Sequence, residues 1–332
     1  MKRLITTAVV LAALVVVQMI VPRLVNPYVL QVIVLCGINI VLAVSLNLIN
    51  GFTGQFSIGH AGFMAIGAYT SAMFSLHVGK GWVAALAAAG VPALVAQGAA
   101  LLVALLLGGL LAAIAGYFVG LPSLRLRGDY LAIVTLGFGE IIRVLIINVD
   151  AVGAAQGLPG IPQWTNLFWI GLFVLAVILV SRNLAQSTHG RALFAIRDDE
   201  VAAEALGVNT TGYKVLAFVL GAFFAGVAGG LSAHYVSYLN PSSFTFIRSI
   251  EIVAMVVLGG LGSVTGATLA AIVLTVLPEA LRSALAYRMV IYSLMLIVLM
   301  ITRPQGLLGT REFSWKAIRD RLRRRRATGP VT

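Results

Sequence analysis

A short polar stretch divides the hydrophobic chain at residues 197–209 and reads Arg197-Asp198-Asp199-Glu200-Val201-Ala202-Ala203-Glu204-Ala205-Leu206-Gly207-Val208-Asn209. Three acidic residues open it, which suits the free amide groups and the positive dipole at the start of a helix. Gly207 closes it, because glycine readily adopts the left-handed conformation that follows a last helical turn. A helix this short is not stable alone in water. We therefore expect a helix over residues 198–207 that leans on another protein, with a solvated connector as the alternative.

Composition identifies the kind of protein that surrounds this stretch. Of the 332 residues, 60% are hydrophobic and 10% are charged, whereas soluble domains carry about 25% charged residues. The mean hydropathy is +1.01, so the chain is an integral membrane protein. A net charge of +12 would suggest nucleic acid as the partner of a soluble protein. Here the basic residues are expected to set the orientation in the membrane, and no nucleic-acid partner is predicted.

Ten apolar segments are candidates for membrane-spanning helices, which need about 20 apolar residues each. They predict an all-α fold, a polytopic membrane protein with about ten transmembrane or partly broken helices. The third, eighth and ninth segments are short or interrupted by glycine, so we expect broken or re-entrant helices there. The ten segments are residues 4–21, 28–49, 60–78, 93–118, 130–149, 167–181, 214–233, 248–261, 266–277 and 289–301.

The loops between these segments predict one membrane domain over residues 1–310 and a basic tail over residues 311–332. Alternating the segments from a cytoplasmic start places most loop arginines and lysines on the cytoplasmic side, as the positive-inside rule requires. Both termini and the polar loop at about residues 183–213 are then cytoplasmic. Four consecutive arginines at residues 323–326 are expected to attract anionic lipid.

The connection between the second and third segments carries polar side chains and several glycines at membrane depth. Irregular backbone at that depth must be shielded by protein or line a watery cavity. We therefore expect either tight packing of small residues between helices or a transport pathway or gate. The candidate polar contacts of such a pathway are Asn47, Gln55, Ser57 and His60.

Two acid–base pairs also lie inside predicted spans. Glu140 and Arg143 are separated by one helical turn, and Arg248 and Glu251 repeat that spacing in reverse order. Residues three apart on a helix can pair, and charges at this depth usually face a protein interior or a cavity. Both are therefore expected to be buried charge pairs, with structural self-pairing favoured over contact with a transported solute.

The chain offers no residues for chemistry of its own. It contains no phosphate-binding loop, since residues 207–214 lack a lysine after the second glycine. No His/Cys cluster has metal-ligand spacing, and no serine stands in a nucleophile elbow. We predict no catalytic residue, no metal and no cofactor in this chain. Energy for powered transport would have to come from ATP hydrolysed by another polypeptide.

Several stretches resemble a known family. Residues 201–207 resemble the cytoplasmic coupling signature of ABC importer permeases, with Val201 in place of the signature glutamate and Glu200 beside it. Residues 124–143 resemble the hallmark of the M-type permease subunits for branched-chain amino acids. Residues 45–61 and 259–266 are similar to the same family. The outer loop departs from the family pattern at residues 155–161.

This resemblance implies ABC importer permease architecture in a bacterial inner membrane. It implies a second, H-type permease subunit, two cytoplasmic ATP-binding subunits and a periplasmic binding protein that delivers a branched-chain or related amino acid. Urea or a short-chain amide as the solute stays open. So does a channel or ion-coupled carrier that uses Glu140 and Glu251. The residues that would seat in a groove of an ATPase are Asp198, Asp199, Glu200, Ala202, Ala203, Leu206 and Gly207.

Overall fold

A computed structural model describes residues 2–123 and 128–284, together with isolated positions between residues 293 and 309. Within these ranges, side chains are described from residue 12 onward, except at residues 122, 123, 283 and 284. The arginines at 125 and 127, most of the tenth predicted segment and the basic tail lie outside the described residues.

The described chain is helical almost throughout, with short turns between helices. A π-helical turn, Ser75–Gly79, joins α3 to α4, and short 3-10 turns occupy Asp150–Val152, Ala154–Gln156, Pro241–Phe244 and Leu281–Ala284. The helices are α1 (Lys2–Leu24), α2 (Pro27–Asn50), α3 (His60–Phe74), α4 (Lys80–Ala88), α5 (Ala93–Ser123), α6 (Asp129–Ile147), α7 (Leu167–Gln186), α8 (Thr188–Asp198), α9 (Glu200–Ala205), α10 (Thr210–Val236), α11 (Phe246–Gly259) and α12 (Val264–Ala280).

The helix lengths confirm the all-α polytopic prediction. Within the described ranges, five helices are long and apolar enough to cross a membrane: α2, α5, α6, α7 and α10. They coincide with five of the ten predicted segments. Two further apolar helical stretches, Ala12–Leu24 and Val264–Ala280, are shorter. The third, eighth and ninth predicted segments correspond to α3, α11 and α12, which have 15, 14 and 17 residues.

The core forms where α10 packs against α2, α3 and α5. Small residues bring these helices together: a Cβ on Gly67 of α3 would stand 2.1 Å from the carbonyl oxygen of Gly226 in α10. No side chain larger than glycine's fits there, so the two backbones are in direct contact, as in other tightly packed membrane helices. Larger side chains such as Phe52, Phe63 and Phe218 fill the space around these contacts.

Two irregular segments interrupt the helices inside the bundle. Residues 51–59 separate α2 from α3, and residues 260–263 separate α11 from α12. The amide of Gly262 donates a hydrogen bond of 2.9 Å to Asn47 Oδ1, near the end of α2. The two segments are therefore held side by side. They border α3, α11 and α12, the three helices that are shorter than a full membrane span.

The bundle has two different ends. One, here called the α8–α9 end, contains α8, α9, Gly51 directly after α2 and the start of α10. The other, here called the strand end, contains β1 (Leu158–Pro159) and β2 (Tyr238–Leu239), which pair antiparallel with Leu158 opposite Leu239. Lys80 Nζ also donates to the carbonyl of Gly160 there, at 3.2 Å. These two-residue strands are the departure from a purely helical fold within the described residues.

Candidate functional site

The loop predicted at residues 183–213 is mostly helix. α7 continues to Gln186, α8 fills much of the remainder, and α10 already begins at Thr210. The sequence does carry a signal for α8: Ser187 caps its first turn, with Oγ accepting from the amide of Gly190 at 3.1 Å. Leu193 and Ile196, three residues apart, are buried beneath it. Those are the start signal and the spacing expected of a surface helix.

The second helix of this loop is shorter than predicted. Asp198 ends α8, and α9 has six residues instead of the ten expected. Asp199 caps α9, because its Oδ1 accepts hydrogen bonds from the amides of Val201 and Ala202 at 2.9 and 3.0 Å. Gly207 follows with a φ of +82°, the left-handed conformation that its position after the helix requires.

The predicted coupling residues divide into exposed and inward-facing groups. Ala203 is 2% exposed and faces the protein's own interior, so the expectation that it touches a partner is wrong. Glu200 is only partly exposed, because it turns toward α10. Leu206 is 84% and Val201 62% exposed. The side chains available to a partner are those of Val201 and Leu206, with the exposed Asp198, Asp199, Ala202 and Gly207 around them.

Two contacts with α10 hold α9 in place. Lys214 Nζ lies 2.7 Å from Glu200 Oε1, and the lysine side chain is only 5% exposed. Thr210 Oγ1 donates to Glu204 Oε1 at 2.7 Å. No sequence motif indicates Lys214. A lysine in the first turns of an apolar helix is nevertheless a sign that its charge has a partner. α9 is therefore fixed to the start of a membrane-length helix.

Arg197, at the end of α8, joins this loop to both irregular segments. Its guanidinium hydrogen-bonds Asp198 at 3.0 Å and donates to the carbonyl of Gly51 at 3.4 Å. It also lies over the ring of Phe194, 5.0 Å from the centroid. A Cβ on Gly262 would stand 2.9 Å from Nη1. One side chain thus touches the segment after α2 and the segment between α11 and α12.

A polar cavity of about 350 Å³ opens beside these contacts. Of the four predicted pathway residues, Gln55 lines it. The residues around the cavity are Thr53, Gly54, Gln55, Gly128, Leu131, Ile196, Arg197, Asp198, Asp199, Glu200 and Lys214.

The other three predicted pathway residues, Asn47, Ser57 and His60, are fully buried. Asn47 accepts from Gly262, and His60 Nε2 is hydrogen-bonded to Ser45 Oγ at 2.8 Å. Such contacts hold neighbouring backbones together, as the packing alternative expects. In the described structure, each of the four predicted residues also keeps one buried polar atom without a hydrogen-bond partner: Asn47 Nδ2, Gln55 Nε2, Ser57 Oγ and His60 Nδ1.

Both predicted charge pairs form. Arg143 Nε is 2.7 Å from Glu140 Oε2, and Arg248 Nη1 is 2.9 Å from Glu251 Oε2. Within this chain the pairs are only partly buried, because the side chains of Glu140 and Glu251 are 37% and 44% exposed. Helix spacing determines the pairing, but it does not determine which side of the helix is covered.

Comparison with known proteins places this sequence among transport permeases. The family model described as "Branched-chain amino acid transport system / permease component" matches residues 28–301. The LivM high-affinity branched-chain amino acid transport permease protein of Escherichia coli K12 is 37% identical over 333 residues, covering 90% of this chain and 74% of the relative. The LivH permease protein of Salmonella typhimurium is 36% identical over 149 residues, covering 44% of this chain and 47% of the relative. No solved structure matches the chain significantly.

Proposed function

Because this chain belongs to the branched-chain amino acid transport permease family, we propose that it forms half of the transmembrane pathway of an ATP-driven importer for branched-chain amino acids. Members of this family are transport permease subunits, not enzymes, and the chain is a multi-pass membrane protein. The other half of the pathway would be an H-type permease subunit, as the similarity to LivH supports. Two cytoplasmic ATPases and a periplasmic binding protein complete the proposed importer.

The observation that carries this proposal is the attachment of α9. Val201 and Leu206 offer an apolar contact to a partner, while Glu200 and Glu204 tie the same helix to α10. A helix that is exposed on one side and fixed on the other can pass a displacement into the membrane domain. The proposed partner at this surface is a cytoplasmic ATPase, so the α8–α9 end would face the cytoplasm. The distribution of basic residues leads us to expect both chain termini on the same side.

The contacts of Arg197 suggest how a displacement of α9 would reach the transport pathway. Closure of the ATPases would move α9 together with the end of α8. Arg197 would carry that movement to Gly51 and Gly262, which lie in the two irregular segments. The unpaired polar atoms of Asn47, Ser57 and His60 support a gate here, since buried polar groups without partners are costly and a rearranged state would pair them.

The strand end would then face the periplasm. The β1–β2 pair there would form a non-helical surface for the binding protein, and the hydrogen bond from Lys80 to the carbonyl of Gly160 holds the neighbouring loop in place. The basic tail, outside the described residues, would bind anionic lipid of the inner membrane.

Reconstitution tests the proposal. The chain is co-purified with the permease, ATPases and binding protein encoded beside it, and uptake of labelled leucine is measured in liposomes. We expect uptake to require ATP, the binding protein and a hydrolysis-competent ATPase. Uptake of urea or a short amide in place of leucine would change the substrate assignment. Uptake by this chain alone under an ion gradient would refute the importer and support a carrier.

A further inference from the structure

Both charge pairs are partly exposed on the surface of this chain. On α6, Glu140 and Arg143 have side-chain exposures of 37% and 28%, and on α11, Glu251 and Arg248 have exposures of 44% and 22%. In each pair the carboxylate is therefore the more exposed partner. These four side chains are called the charged face below.

The charged face lies near the middle of the membrane. Arg248 Nη2 donates to Oδ1 of Asn39, which stands midway along α2 (Pro27–Asn50). Glu140 follows the first residue of α6, Asp129, by eleven residues, which is about 16 Å along a helix. The hydrocarbon core of a bilayer is about 30 Å thick, so both pairs are near its centre.

The two pairs also flank the same turn of α3. The amide of Ala61 donates to Ser249 Oγ at 3.1 Å, beside Arg248. On the other side, a Cβ on Gly62 would stand 2.8 Å from the Cα of Gly139, beside Glu140. The first turn of α3 thus contacts the immediate neighbours of both pairs, which places the pairs at one level on adjacent helices.

Contact with lipid is unfavourable for such a charged surface. A charged side chain at the bilayer centre is energetically costly, and such side chains face a bundle interior or a water-filled cavity. The exposed side of α5 shows the contrast, because Leu106, Leu110 and Ile114 there are apolar and between 44% and 53% exposed. α5 has the surface expected against lipid, and the charged face does not.

We propose that the charged face lines the solute pathway, opposite the second permease subunit, and binds the zwitterionic head of the transported amino acid. Arg143 and Arg248 would meet its carboxylate, and Glu140 and Glu251 its ammonium group. Two cations and two anions at one level complement a solute that carries one charge of each sign and no net charge. This inference rests on the proposed function, because the chain alone does not enclose a pathway.

Thiol labelling tests whether the charged face is wet. Cys36, the single cysteine, is replaced by alanine, and Glu140→Cys or Glu251→Cys is introduced into the assembled complex. A membrane-impermeant, charged thiol reagent should label both positions at least about tenfold faster than Leu110→Cys on α5, because the reactive thiolate forms only in a polar environment. Labelling as slow as at Leu110→Cys, with and without ATP, would overturn the proposal.

Removing a whole pair tests the contact with the solute. Glu140→Gln combined with Arg143→Gln leaves no unpaired charge, so a purely structural pair can be removed with little loss. We expect leucine uptake to fall about tenfold, the loss for one charged hydrogen bond, while complex assembly and stimulation of ATPase activity by the binding protein persist. The same double change at Arg248 and Glu251 provides a second site if the first variant assembles poorly.

The outcomes separate this inference from the function on which it rests. If the unaltered complex imports no leucine, the proposed function fails, while labelling still reports whether the charged face meets water. If the unaltered complex imports leucine and both doubly neutral variants import it equally well, binding of the zwitterion is refuted and the proposed function stands.

Discussion

Replacing Glu200 by glutamine should detach α9 from the membrane domain. The change removes the charge that faces Lys214, whose side chain is 5% exposed. Removing one partner of a buried ion pair costs about 3–5 kcal/mol, because the other charge stays buried without compensation. Glu200 is 23% exposed, so water offsets part of this, and roughly 2 kcal/mol remains. That corresponds to roughly a thirtyfold shift toward the detached state.

Hydrogen exchange of the amides at residues 201–206 measures this shift directly. Exchange through local opening follows the free energy of that opening, so these amides should exchange roughly thirtyfold faster in Glu200→Gln. Leucine imported per ATP hydrolysed should fall as well, since a loose α9 transmits less of the movement of the ATPase. The core amides of α10 should exchange as before.

Two control variants test whether the ion pair itself causes the change in exchange. Glu204→Gln makes the same chemical change four residues on, but the glutamine oxygen can still accept from Thr210, so exchange should stay near that of the unaltered protein. Replacing Glu200 and Lys214 together by methionine removes both charges and should restore slow exchange. If Glu200→Gln exchanges like Glu204→Gln, the ion pair does not hold α9 and the argument is wrong.

Three further predictions concern the same loop. Arg197→Ala should lower leucine uptake per ATP hydrolysed several-fold while the ATPase subunits still bind. Arg197→Lys should not restore uptake, because lysine lacks the forked guanidinium that reaches Asp198 and Gly51 together. Unchanged uptake in either variant would contradict this. Leu206→Arg should prevent co-purification of the ATPases without altering protease resistance. Ala203→Arg, at a buried site, should instead make the loop protease-sensitive. If Leu206→Arg binds the ATPases as well as the unaltered protein does, Leu206 is not part of the proposed surface. Asp199→Ala should speed amide exchange in α9 by about fivefold, because the helix loses roughly 1 kcal/mol of capping. Asp199→Asn should leave exchange near that of the unaltered protein. If Asp199→Ala exchanges no faster than Asp199→Asn, the cap contributes nothing.

The candidate site could be predicted from sequence where a local signal existed. The acidic start and Gly207 marked the position of the coupling helix, and the three-residue spacing marked both charge pairs. The length of α9 and the presence of α8 do not follow from the overall polarity of the loop, although Ser187, Leu193 and Ile196 carry the pattern of a helix. The inward orientation of Ala203 could not be derived, since alanine is compatible with either face.

From the sequence alone it follows that the chain crosses a membrane, where most of its long apolar helices lie and which residues can pair within one helix. These properties depend on hydropathy and on neighbours three or four positions apart, which are local quantities. Three features emerge only from the folded chain: Lys214 anchors α9, Arg197 touches Gly51 and Gly262, and the charge pairs of α6 and α11 lie at one level on the surface. Those contacts join residues far apart in the chain, and they exist because the packing of α2, α3 and α10 brings the helix ends together.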